Sequence, residues 1–122
     1  MTMDAMLDEL IVSGADDWLM VVEVTWVAKS MGGARTPNTI QELSLELIRE
    51  LIVREMVIVG DVDERGFQPW NLDISETLEL IEKRWKSLSR EPTLGDVCWL
   101  NLTPKGELRA AEILRTSSHK AK

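Results

Sequence analysis

Apolar residues recur at helical spacing along most of the chain. Residues 4–12 carry such a stripe and predict a short first helix that ends at Gly14. A second helix is predicted from Asp16 to Met31, because acidic residues suit its start and a stripe including Trp18 follows. The pair of glycines at 32–33 ends this element.

The strongest helical pattern covers residues 39–55. Its start, Thr39 to Glu42, has the spacing of a capping box, in which the two side chains bind each other's free backbone N–H groups. Six apolar positions then recur at helical spacing: Ile40, Leu43, Leu47, Ile48, Leu51 and Ile52. The β-branched run at 56–59 directly after this helix predicts a strand.

Turn-forming residues separate this strand from the next elements. Gly66, Pro69 and Asn71 indicate an irregular stretch, and Asp73 marks the start of another helix. That helix has apolar residues at 78, 81, 85 and 88, which include Trp85. Residues 97–102 are apolar at five of six positions, so they predict a strand buried on both faces, with Trp99 in the core.

The last helix is predicted to begin at Thr103-Pro104, a capping residue followed by proline at the first helical position. Residues 116–122 are small, polar and basic, and we expect them to form a flexible tail. The pattern therefore predicts one domain over residues 1–115. Its expected class is mainly α with a small two-stranded β-hairpin (α+β) and a helix inserted between the two strands.

Two segments resemble winged helix-turn-helix proteins. Leu47 to Val62 resembles the third helix and first wing strand, and Trp99 to Gly106 resembles the second wing strand with its Leu-Thr-x-x-Gly helix start. The resemblance implies a winged-helix-like fold in which the helix at 39–55 would enter a DNA groove. Residues 60–96 depart from it, because a predicted helix replaces the short wing tip.

Charge divides the chain into two parts. The formal net charge is −7. Residues 1–82 hold 17 carboxylates against five Lys or Arg, a net of −12, whereas residues 83–122 hold nine basic residues against four acidic ones, a net of +5. The single cysteine, Cys98, permits no internal disulfide, and neither a signal peptide nor a membrane-spanning run is evident. We therefore expect a cytoplasmic protein without membrane contact.

Catalytic and metal-binding patterns are weak. The only histidine, His119, is near the end of the chain, and Cys98 lies in an apolar strand, so we expect no enzyme and no cofactor. Residues 61–66 imitate the start of a calcium loop, but Arg65 stands at its fifth position and Leu72 where a bidentate Glu is needed. We interpret them as a polar turn that leaves a strand, and expect no metal.

Acidity and the resemblance lead to two hypotheses. The first is a non-catalytic protein-interaction module whose acidic surface binds a basic protein, for example an immunity-type protein that neutralises a toxin. Trp70 would add an apolar anchor to this surface. Its expected contact residues are Glu42, Glu46, Glu50, Asp61, Asp63, Glu64 and Trp70.

The second hypothesis is a transcriptional regulator, with a homodimer possible. DNA binding is the function that the resemblance implies, but the first half of the helix at 39–55 has Glu42 and Glu46 and no Lys or Arg. Carboxylates placed against phosphate are unfavourable. DNA contact would therefore depend on a later basic group: Lys83, Arg84, Lys86 and Arg90.

Overall fold

A computed structural model describes the backbone of residues 2–120 and the side chains of residues 2–116. The chain is mainly helical with a small antiparallel sheet, which confirms the α+β class. No helix within residues 2–120 is both long enough and apolar enough to cross a bilayer. The elements are α1 Met3–Asp16, β1 Leu19–Met20, α2 Val21–Ser30, α3 Pro37–Val53, β2 Val57–Asp63, β3 Gly66–Pro69, α4 Ile74–Ser87, β4 Trp99–Leu102 and α5 Pro104–Lys120.

The sheet has four antiparallel strands in the order β1-β4-β2-β3, so the prediction of two strands was wrong. The two predicted strands do pair, with Val59 opposite Leu100. The stretch predicted to be irregular instead forms β3, which makes a hairpin with β2 through the turn at 64–65. Gly66 has φ +102°, a value that glycine accepts at no steric cost. Pro69 has no N–H, which blunts this sheet edge against further pairing.

The core lies between the helices and one face of the sheet, called here the inner face. The inner-face side chains Leu19, Val59 and Leu100 are buried, and they pack in one cluster with apolar residues of every helix. Full burial of such a side chain stabilises the fold by about 1.5–3 kcal/mol each. Gly14 belongs to this packing, since a Cβ there would lie 3.2 Å from Leu102.

Contacts with the sheet explain why two predicted helix boundaries, the end of α1 and the start of α2, were wrong. Gly14 does not end α1, which continues to Asp16. The glycine is inside the helix because the helix packs closely against the sheet at this position, where a side chain would crowd Leu102. The second helix begins at Val21 instead of Asp16, because Leu19 and Met20 pair with β4 as β1. The carboxylate of Glu23 accepts a hydrogen bond from the N–H of Met20 at 2.7 Å and so starts α2 there.

The start of α3 was also misplaced. The N-cap is Thr36, whose hydroxyl accepts a hydrogen bond from the N–H of Thr39. In turn, the hydroxyl of Thr39 accepts a hydrogen bond from the N–H of Thr36. Pro37 occupies the first helical turn, where its missing N–H costs nothing. Glu42 therefore has no capping role and is free to face outward. The helix ends at Val53, two residues earlier than predicted, and Glu55 has φ +60°.

The later helices begin where the sequence predicts. Asp73 caps α4, since its carboxylate accepts from the N–H of Glu76 at 2.8 Å. Thr103 accepts from the N–H of Gly106 at 3.0 Å at the start of α5. A flexible tail was predicted for residues 116–122. The side chains of residues 117–120 and all of residues 121–122 lie outside the described residues, so the flexible tail stays a prediction.

Candidate interaction surfaces

The outward face of α3 carries two glutamates without a cationic partner. Glu42 and Glu46 are exposed and one helical turn apart, and Arg49 and Val53 continue the same face. Within residues 2–116, no Lys or Arg nitrogen lies within 4 Å of either carboxylate. Val53 is 48% exposed, so an apolar side chain lies beside the charges.

Glu50 is in a different situation from these two glutamates. Its carboxylate accepts a hydrogen bond from Arg54 at 3.1 Å, and Arg54 also donates to Asp4 on α1 at 2.9 Å. The hydrogen bonds from Arg54 to Asp4 and then to Glu50 raise the pKa of Arg54. Glu50 therefore links α3 to α1 through a shared arginine and has less free charge to offer a partner.

Asp61, Trp70 and Arg84 form one internal network, although the sequence assigned them to opposing hypotheses. Asp61 accepts from the guanidinium of Arg84 at 2.8 Å and from the indole N–H of Trp70 at 2.9 Å. The guanidinium carbon of Arg84 lies 4.8 Å from the Trp70 ring centre, and Arg84 also donates to the carbonyl of Val97. The network joins β2, α4 and the segments next to β3 and β4.

The network also determines the ionisation of Asp61. Burial raises the pKa of its carboxyl, but the hydrogen bonds from Arg84 and Trp70 and the charge of Arg84 together outweigh burial. The pKa of Asp61 therefore lies below its ordinary value, and the group stays ionised at neutral pH. Its oxygens are already occupied by two donors within the protein.

The hairpin turn contains the remaining predicted acidic contacts. Asp63 accepts from the backbone N–H of Arg65 at 2.8 Å and from its guanidinium at 2.9 Å, and Glu64 is exposed. The strand continues to Asp63, so the predicted turn comes later than residue 61. Asp61 and Asp63 each form an ion pair with a different arginine, Arg84 and Arg65 respectively. The described residues contain no group of three metal-binding side chains.

The basic group proposed for DNA contact is divided by carboxylates. Lys86 lies 3.1 Å from Glu82, and Arg90 lies 2.7 Å from Asp96. The hydrogen bond from Arg90 lowers the pKa of Asp96 to about 2. Lys83 is exposed, but α4 as a whole has three glutamates against three basic residues. Together with Arg84, three of the four predicted contacts are thus ion-paired.

Cys98 does not have the environment of a nucleophile. Its side chain is 1% exposed, and burial raises the pKa of the thiol to about 12. A thiol with that pKa carries almost no thiolate at neutral pH. The side chain of His119 lies outside the described residues.

An apolar surface on the other side of the sheet, called here the outer face, was not predicted from the sequence. Its side chains are half-buried or exposed, and Ile58 is 43% exposed. Trp99 was predicted to lie in the core and Trp18 in the stripe of the second helix, and both predictions were wrong. Their rings meet at this face because β4 pairs with β1 and β2. Besides the polar Asn101 opposite Ile58, the outer face presents these apolar side chains: Trp18, Met20, Ile58, Val62, Phe67, Pro69 and Trp99.

A groove connects the outer face with α3. Ile58 and Pro69 line it on the sheet side, and Ile52 lines it on the helix side. Its volume is about 280 Å³, and Leu72, which is 40% exposed, is also among its lining residues. The continuous apolar run at 56–59 was the available signal, because such a run places apolar side chains on both faces of a strand.

The described chain therefore offers an acidic helix face, a sheet face rich in aromatic residues, and an apolar groove that connects α3 to that sheet face. Local sequence identified only the first of these. No protein-family model, curated protein or solved structure matches the chain.

Proposed function

We propose that this chain is a non-catalytic protein-interaction module that binds a basic protein through the outward face of α3. The observation that carries the proposal is the exposure of Glu42 and Glu46 without a cationic partner in the described part of the chain. Unpaired carboxylates keep their full charge available for a partner. They attract a basic surface during encounter and repel wrong, acidic partners.

A winged-helix-like scaffold is part of the same proposal. When the added strands β1 and β3 are set aside, α1, α2 and α3 precede β2, an insertion with α4 follows, and β4 leads into α5. This order supports the resemblance. In that scaffold α3 is the helix that would enter a DNA groove. Two free carboxylates on such a helix favour a basic protein over a polyanion.

An immunity-type protein is the most concrete form of this function. A small acidic domain can cover the basic active surface of a nuclease toxin, and electrostatic steering makes that association fast. Action in the cytoplasm agrees with a single cysteine that needs no oxidising compartment. A homodimer remains compatible with this function.

DNA binding by a transcriptional regulator is the alternative. It would depend on Lys83, Arg84, Lys86 and Arg90, of which Arg84 supports the fold through Asp61. Counterion release requires cations that are free to replace salt along the phosphates. The pairing of three of these four residues with carboxylates makes this alternative the weaker one.

The test compares two double variants that change net charge equally. Glu42→Gln/Glu46→Gln removes the free charges of α3, and Glu9→Gln/Glu107→Gln removes two exposed charges from α1 and α5. Each variant is immobilised, partners are captured from an extract of the native host at low salt, and the affinity of the purified partner is then measured. Loss of two interfacial charges should weaken binding at least about tenfold.

We expect the control variant to retain a basic protein and the α3 variant to lose it. Equal retention of that protein by both variants would contradict the assignment of α3. Recovery of duplex DNA with a steep salt dependence, in place of a basic protein, would instead support the regulator.

A further inference from the structure

Three aromatic rings form a cluster on the outer face. The ring centre of Trp18 lies 6.3 Å from that of Phe67 and 6.4 Å from that of Trp99, in the second case edge to face. All three side chains keep part of their surface in contact with solvent, and they lie outside the main core cluster. Contiguous apolar patches that reach solvent are uncommon on protein surfaces and often mark binding sites, at which Trp is enriched.

Free carboxylates lie next to this aromatic cluster. Asp16 and Asp17 directly precede Trp18 and are exposed, and Asp17 accepts a hydrogen bond from the N–H of Trp18 at 2.8 Å. Glu64 lies in the hairpin turn, and a Cβ added at neighbouring Gly66 would be 4.0 Å from the Trp18 ring. In residues 2–116, these three carboxylates have no ion pair.

The protein already contains one example of how this combination holds a cation. On the inner side of the sheet, the Trp70 ring and the Asp61 carboxylate together bind the guanidinium of Arg84. A flat guanidinium can stack on an indole ring while its N–H groups donate to a carboxylate, which an ammonium does less well. The outer face offers the same pair of groups, indole and carboxylate, to solvent.

We infer that the outer face is a docking surface for an arginine-bearing segment of a basic protein. The guanidinium groups stack on Trp18 and Trp99 and donate to Asp17 and Glu64. Apolar side chains next to the arginines enter the groove beside Ile58. This inference rests on the proposed function only in taking a basic protein as the partner, since it assigns a surface separate from Glu42 and Glu46.

The probe is a short synthetic peptide in which arginines alternate with leucine and glycine, compared with the same peptide carrying lysines. Binding is measured by calorimetry, and the indole N–H signals of the intact protein are followed by NMR. We expect the signals of Trp18 and Trp99 to shift while that of Trp26, which is 58% exposed on α2, does not. The arginine peptide should bind about fivefold more tightly than the lysine peptide.

Variants separate ring stacking from overall charge. Trp18→Phe keeps an aromatic ring in the cluster, and Asp17→Asn/Glu64→Gln keeps an acceptor for the N–H of Trp18. Each should weaken binding of the arginine peptide about two- to fivefold, because an exposed cation–π contact and an exposed ion pair each contribute up to about 1 kcal/mol. Trp26→Phe is the matched control and should leave binding unchanged.

Equal binding of the two peptides, or no effect of Trp18→Phe and of the Asp17 variant, would overturn the inference. The two proposals can fail separately. If the α3 variant abolishes capture of the natural partner while the outer-face variants leave both peptide and partner binding intact, the proposed function stands and this inference falls. If only the outer-face variants lose binding, the inference stands and the assignment of α3 falls.

Discussion

Replacing Asp61 with alanine tests whether the network with Trp70 and Arg84 supports the fold. The change removes the acceptor of two hydrogen bonds, one of 2.8 Å from Arg84 and one of 2.9 Å from Trp70. Arg84 keeps its bond to the carbonyl of Val97 and its position over the Trp70 ring. Among the described side chains, the guanidinium therefore loses its one charged partner while it remains partly shielded from water.

The expected cost lies between two limits. A hydrogen bond to a charged group contributes about 1.5–3 kcal/mol, whereas an exposed ion pair contributes about 0–1 kcal/mol. The side chains of Arg84 and Asp61 are 39% and 48% exposed, so solvent screens much of their attraction. We expect Asp61→Ala to lower the free energy of unfolding by about 1.5 kcal/mol, including loss of the Trp70 bond.

Urea denaturation at pH 7 measures this cost, and an unchanged m-value shows that only stability has changed. Asp63→Ala is the matched control, because the ion pair of Asp63 within residues 2–116 is with Arg65 in the same exposed turn. A double-mutant cycle with Arg84→Met should give a coupling energy of about 0.5–1 kcal/mol. A cost equal to that of Asp63→Ala, or a coupling energy near zero, would refute the structural role of Asp61.

The stabilising contribution of Asp61 should also change with pH, in a direction that its pKa predicts. The pKa of Asp61 is lower in the folded protein than in the unfolded chain, so its contribution is complete above the unfolded value of about 4. The contribution is lost as pH falls through the lower, folded pKa. The stability difference between the native chain and Asp61→Asn should therefore stay constant from pH 5 to pH 8 and shrink below about pH 4. A difference that grows in acid would contradict this account.

Two further substitutions test the packing around the sheet. Gly106→Ala should lower the free energy of unfolding, measured in urea, by about 2 kcal/mol, because the new Cβ would lie 2.2 Å from the carbonyl oxygen of Met56. Lys105→Ala, at the exposed neighbouring position, is the control and should leave the free energy of unfolding unchanged. Ser44→Ala should raise the melting temperature, because its buried hydroxyl has no hydrogen-bond partner among the described residues, and removing it should add about 0.5–1 kcal/mol. A neutral Gly106→Ala or a destabilising Ser44→Ala would show that the local packing argument is wrong.

Local signals in the sequence were sufficient where a helix carries its own start and its own apolar stripe. Asp73 and Thr103 were placed correctly as caps because a cap requires only residues within one turn. The apolar stripe of α3 was identified for the same reason. Thr36 was missed because Thr39, directly before the apolar run that begins at Ile40, has the same local appearance as a cap. Only the geometry of the turn distinguishes the two.

The candidate surfaces likewise differ in whether local sequence could predict them. The free charge of Glu42 and Glu46 follows from polar positions on an amphipathic helix, so the sequence could identify it. The network of Asp61, Trp70 and Arg84 spans 23 residues of chain, and no local pattern could bring those groups together. Because they bind one another, Asp61 and Trp70 are not free to contact a basic protein, and Arg84 is not free to contact DNA.

The amino-acid sequence alone determined the helix-rich composition of the domain, the starts of its last two helices and the acidity of α3, because those properties depend on neighbours a few residues apart. Tertiary structure decided the strands β1 and β3, the helical position of Gly14 and the partial exposure of Trp18 and Trp99. Strand pairing joins distant segments, and which face of a sheet is covered depends on what the rest of the chain packs against. An apolar strand sequence specifies two apolar faces, but only the folded molecule shows which one meets water.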